Sequence, residues 1–96
     1  MSPFASREFE GRVALVTGAA SGIGEAAARL FAERGARVSL VDLDEAGEGV
    51  AEAIRAEGGE AVFVTADVAE DEQVERAVAR TIEAFGRLDC AYNNAG

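Results

Sequence analysis

The sequence predicts an α/β domain of three layers, helix–sheet–helix, built on a parallel sheet with strand order 3-2-1-4. Three observations carry this. Four short β-rich runs alternate with three amphipathic helical stretches, the pattern of βαβ units. Right-handed crossovers then leave few strand orders open. The chain has 96 residues, 49% hydrophobic and 28% charged, which suits one small globular domain and not a disordered segment. At this size folding removes only about 65% of the unfolded surface from water, so the core has little margin.

The elements follow in order. Residues 1–11 are mixed in character, contain the only proline, Pro3, and read as an N-terminal arm ahead of a domain spanning 12–96. Arg12 to Thr17 is a β-rich run whose continuous apolar stretch suggests a strand buried on both faces. From Gly22 to Gly35, the residues Ile23, Ala26, Ala27, Leu30 and Phe31 recur on one face of a helix, and Gly35 is its stop. Arg37 to Val41 is the second strand. Asp44 to Glu57 is a weaker helix with Val50 and Ile54 as its spine, in which Gly47 and Gly49 each cost about 1 kcal/mol relative to Ala. After Gly58-Gly59, Ala61 to Thr65 is the third strand. Glu70 to Phe85 is the strongest helix, with Val74, Ala77, Val78, Thr81, Ile82 and Phe85 on one stripe and Gly86 closing it. Ala69 stands where a capping side chain is expected. Leu88 to Tyr92 is the fourth strand.

Composition excludes several kinds of chemistry. Nine arginines face eighteen acidic residues, a net charge of −9, which repels nucleic acid backbones. The run Glu70-Asp71-Glu72 fits a solvated helix start. There is no His, so a histidine-ligated zinc centre and a Ser-His-Asp triad are absent, and no metal site is expected. Cys90 stands alone and cannot form an internal disulfide. It is expected to be a small buried strand residue. No apolar stretch has the length of a leader or a membrane span, so the expected location is cytoplasmic with no membrane partner.

The turn after the first strand carries the clearest signal. It reads Thr17-Gly18-Ala19-Ala20-Ser21-Gly22-Ile23-Gly24, and it contains Gly22-x-Gly24-x-x-Ala27. Glycine admits the sharp turn, and a missing Cβ lets a pyrophosphate approach the backbone. The following helix aims N–H groups and its positive dipole end at that anion. No cationic side chain is required, and Ser21 can add a hydroxyl donor. Strand, glycine turn and helix together form the context of a Rossmann-type dinucleotide site.

Asp42 ends the second strand, 18 residues after Gly24 and near the roughly 20-residue offset of a ribose-binding acid. A carboxylate there accepts from adenosine ribose hydroxyls and repels the extra phosphate of NADP. Leu43 follows it and Ser21 occupies the loop, so no basic residue offsets that repulsion, and NAD is the expected cofactor. The competing role, capping the next helix, suits Asp44 better. Asp67 and Val68 follow the third strand. They suit either an adenine contact, with Asp67 accepting from the amino group and the Val68 amide donating to the ring, or an ordinary turn.

Three motifs in order, Thr17 to Gly24, Asp67-Val68 and Asn93-Asn94-Ala95-Gly96, make the chain similar to the short-chain dehydrogenase/reductase family over roughly residues 10–96. The resemblance implies that Gly18, Gly22, Ile23 and Gly24 line the pyrophosphate site. It implies that Asp42 binds ribose, that Asp67 and Val68 bind adenine, and that Asn94, Ala95 and Gly96 lie beside the cofactor, with the Asn-Asn-Ala-Gly segment steadying the sheet against Thr17. It also implies hydride transfer between a nicotinamide and a small alcohol or carbonyl, in a parent enzyme that forms homo-oligomers.

The family's acid/base pair is a Tyr-x-x-x-Lys motif assisted by a Ser. Here Tyr92 is the only tyrosine, Gly96 stands four residues later, and the chain has no lysine. No catalytic residue is therefore assigned, and the chain reads as the truncated N-terminal NAD-binding part of an oxidoreductase, inactive alone. A stand-alone NAD-binding regulatory module and a remnant without cofactor are the alternatives. An exposed fourth strand is expected to make the isolated piece self-associate.

Overall fold

Val13, Ala14, Leu15, Val16 and Thr17 are all buried, as a strand covered on both faces requires. They form β1 (Val13–Thr17) of a computed structural model that describes residues 8–94. The remaining elements are α1 (Gly22–Glu33), β2 (Arg37–Asp42), α2 (Gly47–Ala56), β3 (Ala61–Thr65), α3 (Asp71–Phe85) and β4 (Cys90–Asn93). The four strands form one parallel sheet in the order β3-β2-β1-β4, the order expected from the sequence. Leu15 pairs with Ser39 on one side and Ala91 on the other, and Ser39 pairs with Val62, which fixes the register across the sheet.

Side chains alternate between the two faces. Val16, Val38 and Leu40 pack with Ala28 of α1 and with Val50, Ala51 and Ile54 of α2. Leu15 and Val41 pack on the opposite face with Ala77 of α3. Fully burying one such aliphatic side chain contributes about 1.5–3 kcal/mol. One polar pair is set into the second face. The hydroxyls of Ser39 and Thr81, both fully buried, lie 2.8 Å apart, and Thr81 Oγ1 is 2.7 Å from the Ala77 carbonyl. Each hydroxyl has one proton, so Thr81 donates to the carbonyl and Ser39 donates to Thr81. Both groups are thereby satisfied between β2 and α3.

Several boundaries and faces differ from expectation. Helix α1 buries Gly24 and Ala28, whereas Ile23 and Leu30 of the expected apolar face are 70% and 47% exposed. The small residues let the helix lie close to the sheet and leave Ile23 and Leu30 outward, while Phe31 of the expected face does pack, half-buried, against the core. Val74 and Ile82 of α3 are also exposed, because the apolar stripe is wider than its contact with the sheet. Helix α2 begins at Gly47, not Asp44, since the bonds from Gly47 to Asp44 and from Glu48 to Glu45 span three residues and form a tighter turn. Helix α3 is preceded by Glu70, which like Ala69 supplies no side-chain cap. Cys90 is exposed, contrary to its expected burial. Among the described residues, strand β4 has a neighbour on one side only, and all four of its residues are exposed.

Of the expected arm, residues 8–11 form a turn, tied by the Phe9 N–H to the Arg34 carbonyl at 2.9 Å. Phe9 packs on Phe31 with ring centroids 5.5 Å apart. Among the described residues, no helix is long and apolar enough to cross a membrane.

Candidate dinucleotide site

The carboxyl ends of β1, β2 and β3 bring the predicted residues to one edge of the sheet. The turn after β1 has positive φ at Gly18 (65°) and Gly22 (61°), a conformation that excludes most side chains. The loop is tied to β2: Gly18 N–H donates to the Val41 carbonyl at 2.9 Å, and Ala20 N–H donates to Asp42 Oδ2 at 3.0 Å. Ser21 precedes α1 in extended conformation and does not cap it with its side chain. Ile23 sits exposed in the first turn of that helix. Glu25, the acidic residue of this turn, is held by Arg29 at 3.0 Å, so its charge is partly compensated one turn along.

Gly24 is required for close approach. A Cβ there would lie 2.0 Å from the Gly18 carbonyl oxygen and 2.8 Å from Asn94 Nδ2. Asn94 supports the loop from the sheet side: its N–H donates to Thr17 Oγ1 at 2.9 Å, and its Nδ2 lies 3.4 Å from the Gly18 oxygen. Thr17 Oγ1 in turn donates to Asn93 Oδ1 at 2.9 Å. The expected bracing of the sheet through Thr17 is therefore present at Asn93 and Asn94. Ala95 and Gly96 lie outside the described residues.

Asp42 accepts two backbone N–H groups, from Ala20 on Oδ2 and from Asp44 on Oδ1 at 2.9 Å. Asp44 accepts from the Ala46 N–H at 2.9 Å within the turn before α2, but Ala46 holds the N-cap position and α2 has no side-chain cap, so Asp44 braces the turn and does not cap the helix as expected. Each Asp42 oxygen retains a lone pair for a further donor. After β3, the Ala66 N–H donates to the Asp42 carbonyl, and Asp67 Oδ1 accepts from Ala69 N–H at 2.9 Å. Gly18, Val41, Asp42, Leu43, Ala66, Asp67 and Val68 line an open cleft of about 100 Å³. The site lies beside the reversal of strand order between β1 and β4, where open α/β sheets place their ligands. Sequence reasoning missed Gln73, whose Oε1 accepts the Asp67 N–H at 2.7 Å.

The family model for short chain dehydrogenases matches residues 12–96. The chain belongs to the short-chain dehydrogenase family. An uncharacterized oxidoreductase of Thermotoga maritima is 53% identical over 89 residues, covering 92% of this chain and 35% of that protein. The secoisolariciresinol dehydrogenase of Forsythia intermedia is 44% identical over 92 residues, covering 95% of this chain and 32% of the relative. A hydroxysteroid dehydrogenase of Escherichia coli superimposes with a TM-score of 0.90 at 32% identity, over 94% of this chain and 39% of the other. This member of the family thus spans about a third of the length of the curated relatives it matches. Its sheet order and flanking helices are those of a Rossmann-like α/β fold.

Proposed function

We propose that the chain is the N-terminal, NAD-binding part of a dehydrogenase acting on a small alcohol or carbonyl, and that the 96-residue piece alone binds cofactor without turning over substrate. The observation that carries this reading is the Asp42 carboxylate, held beside the glycine turn by the N–H groups of Ala20 and Asp44. The residues present fit a dinucleotide. A Cβ at Gly22 would meet nothing within 4 Å, which leaves the mouth of the turn open to a ligand. Gly18, Ser21, Gly22, Ile23 and Gly24 would hold the pyrophosphate, Asp42 the ribose, and Asp67 and Val68 the adenine, with Asn94 beside the nicotinamide side.

When bound, the nicotinamide ring supplies the hydride chemistry. The chain's own part is to orient the dinucleotide and select it. The α1 N-terminus favours the diphosphate by its dipole, and the turn contains no cationic side chain. At Asp42 a carboxylate fixed by two donors cannot easily swing aside for a 2′-phosphate, so NAD is favoured over NADP.

Titration calorimetry with both cofactors tests this. Asp42→Ala is expected to weaken NAD binding about tenfold or more, the worth of lost charge-assisted hydrogen bonds, and to narrow the gap to NADP. Unchanged selectivity would reduce Asp42 to a brace between two loops.

A further inference from the structure

We infer that Gln73 is a positioning residue for recognition of the adenine base, an inference that rests on the dinucleotide reading above. Gln73 is the third residue of α3. An amide at this place ordinarily reaches back to the N–H of the residue before the helix, forming half of a capping box. Here that N–H, on Glu70, already donates to the Asp67 carbonyl at 3.1 Å. Gln73 therefore reaches three residues further, and its Oε1 accepts the Asp67 N–H at 2.7 Å, the shorter of the two contacts. The side chain is half-buried, so the bond is partly shielded from water.

The consequence is a turn fixed at three points. Asp67 donates its N–H to Gln73, accepts Glu70 on its carbonyl, and accepts Ala69 on Oδ1. Val68 is pinned between these bonds and packs against the core cluster of Leu15, Val41, Ala66 and Ala77. The Asp67 carboxylate and the Val68 N–H are thus an acceptor and a donor whose mutual placement depends on Gln73. Adenine offers the complement, an amino donor next to a ring-nitrogen acceptor. Hypoxanthine inverts both, with a carbonyl in place of the amino group and an N–H in place of the bare nitrogen. Gln73 touches neither base in this arrangement; it holds the reader of the base.

The test compares NAD with nicotinamide hypoxanthine dinucleotide by calorimetry on the 96-residue chain, with a thermal melt of each variant. The unaltered chain is expected to prefer NAD by about tenfold or more, since mismatched polar groups are left unpaired. Gln73→Met keeps the bulk but loses the acceptor, and its preference should fall to about twofold. Gln73→Glu keeps an acceptor at the same reach and should retain the preference. Gln73→Asn folds on an equally polar side chain that is too short, and should behave like the Met variant. A purely structural role for Gln73 lowers the melting temperature but weakens both dinucleotides equally; an unchanged ratio in the Met and Asn variants overturns the inference. A parent chain that binds NAD without preference overturns the adenine role of Asp67 and Val68, and one that binds neither dinucleotide overturns the cofactor reading itself.

Discussion

At the scale of single residues, the glycine turn is first of all a packing problem. Gly24 sits where β1 leaves the sheet, α1 begins and Asn94 arrives from β4. Gly24→Ala would place a methyl group 2.0 Å from the Gly18 carbonyl, a backbone atom that cannot rotate away. Helix and loop must then separate, at the 1–3 kcal/mol or so typical of overpacking. The expected outcome is a melting temperature lowered by several degrees, together with at least tenfold weaker NAD binding by calorimetry. Wild-type affinity in a stable variant would show that the close approach of α1 to the turn is not needed. The placement of the glycine turn and of Asp42 at the ends of β1 and β2 was legible in the sequence, because the apolar runs mark where each strand stops. The bond from the Asp67 N–H to Gln73 was not legible in the sequence. The only signal was an amide at the third position of a helix, and where it reaches depends on which N–H groups the preceding turn has already used.

At the scale of elements, two glycines in α2 look alike in sequence and differ in the fold. Gly49 is exposed, and a Cβ there would meet nothing within 4 Å. Gly47 is buried, and a Cβ would lie 2.3 Å from the Phe63 ring. Gly49→Ala should stabilise the chain by roughly 0.5–1 kcal/mol through helix propensity. Gly47→Ala should destabilise it, because Phe63 of β3 must give way. Chemical denaturation of the two variants checks both signs, and equal shifts would contradict the assigned packing. The same contrast explains which elements were readable. The strands were set by continuous apolar runs and are found within two residues of their expected limits. The face of α1 was legible in part: Phe31 packs on the core as its spacing implies, but the fully buried contact is made by Gly24 and Ala28, residues too small to register as an apolar stripe, while Ile23 and Leu30 share the periodicity and lie exposed. Cys90 was misplaced for a different reason: an apolar run predicts a strand but not whether its neighbour on the far side is present.

At the scale of the whole molecule, the amino ends of β1 and β4 are joined by one carboxylate. Asp89 Oδ2 accepts the Val13 N–H at 2.8 Å, and the Asp89 N–H donates to the Val13 carbonyl at 2.9 Å. Arg87 closes the arrangement as a two-pronged donor, with Nη2 at 2.7 Å from Oδ1 and Nε at 3.0 Å from Oδ2. The Arg87 hydrogen bonds, with help from the Val13 N–H, hold the Asp89 carboxyl below its ordinary pKa. The same contact raises that of Arg87. A carboxylate with a depressed folded-state pKa contributes stability that is fully present above its unfolded value, about 4, and is lost as pH falls through the lower folded value. Arg87 stays charged across this range. The sheet's link to β4 should therefore weaken on acidification and be unaffected near neutrality. Asp89→Asn removes the titrating group while keeping one acceptor oxygen. Its melting temperature should lie below that of the parent chain at pH 7, and the two should converge as pH falls below about 4. Thermal melts across that range at fixed salt test the claim. A difference that stays constant down to strong acid would mean the Asp89 charge contributes nothing, and that neutral hydrogen bonding alone joins β4 to the sheet.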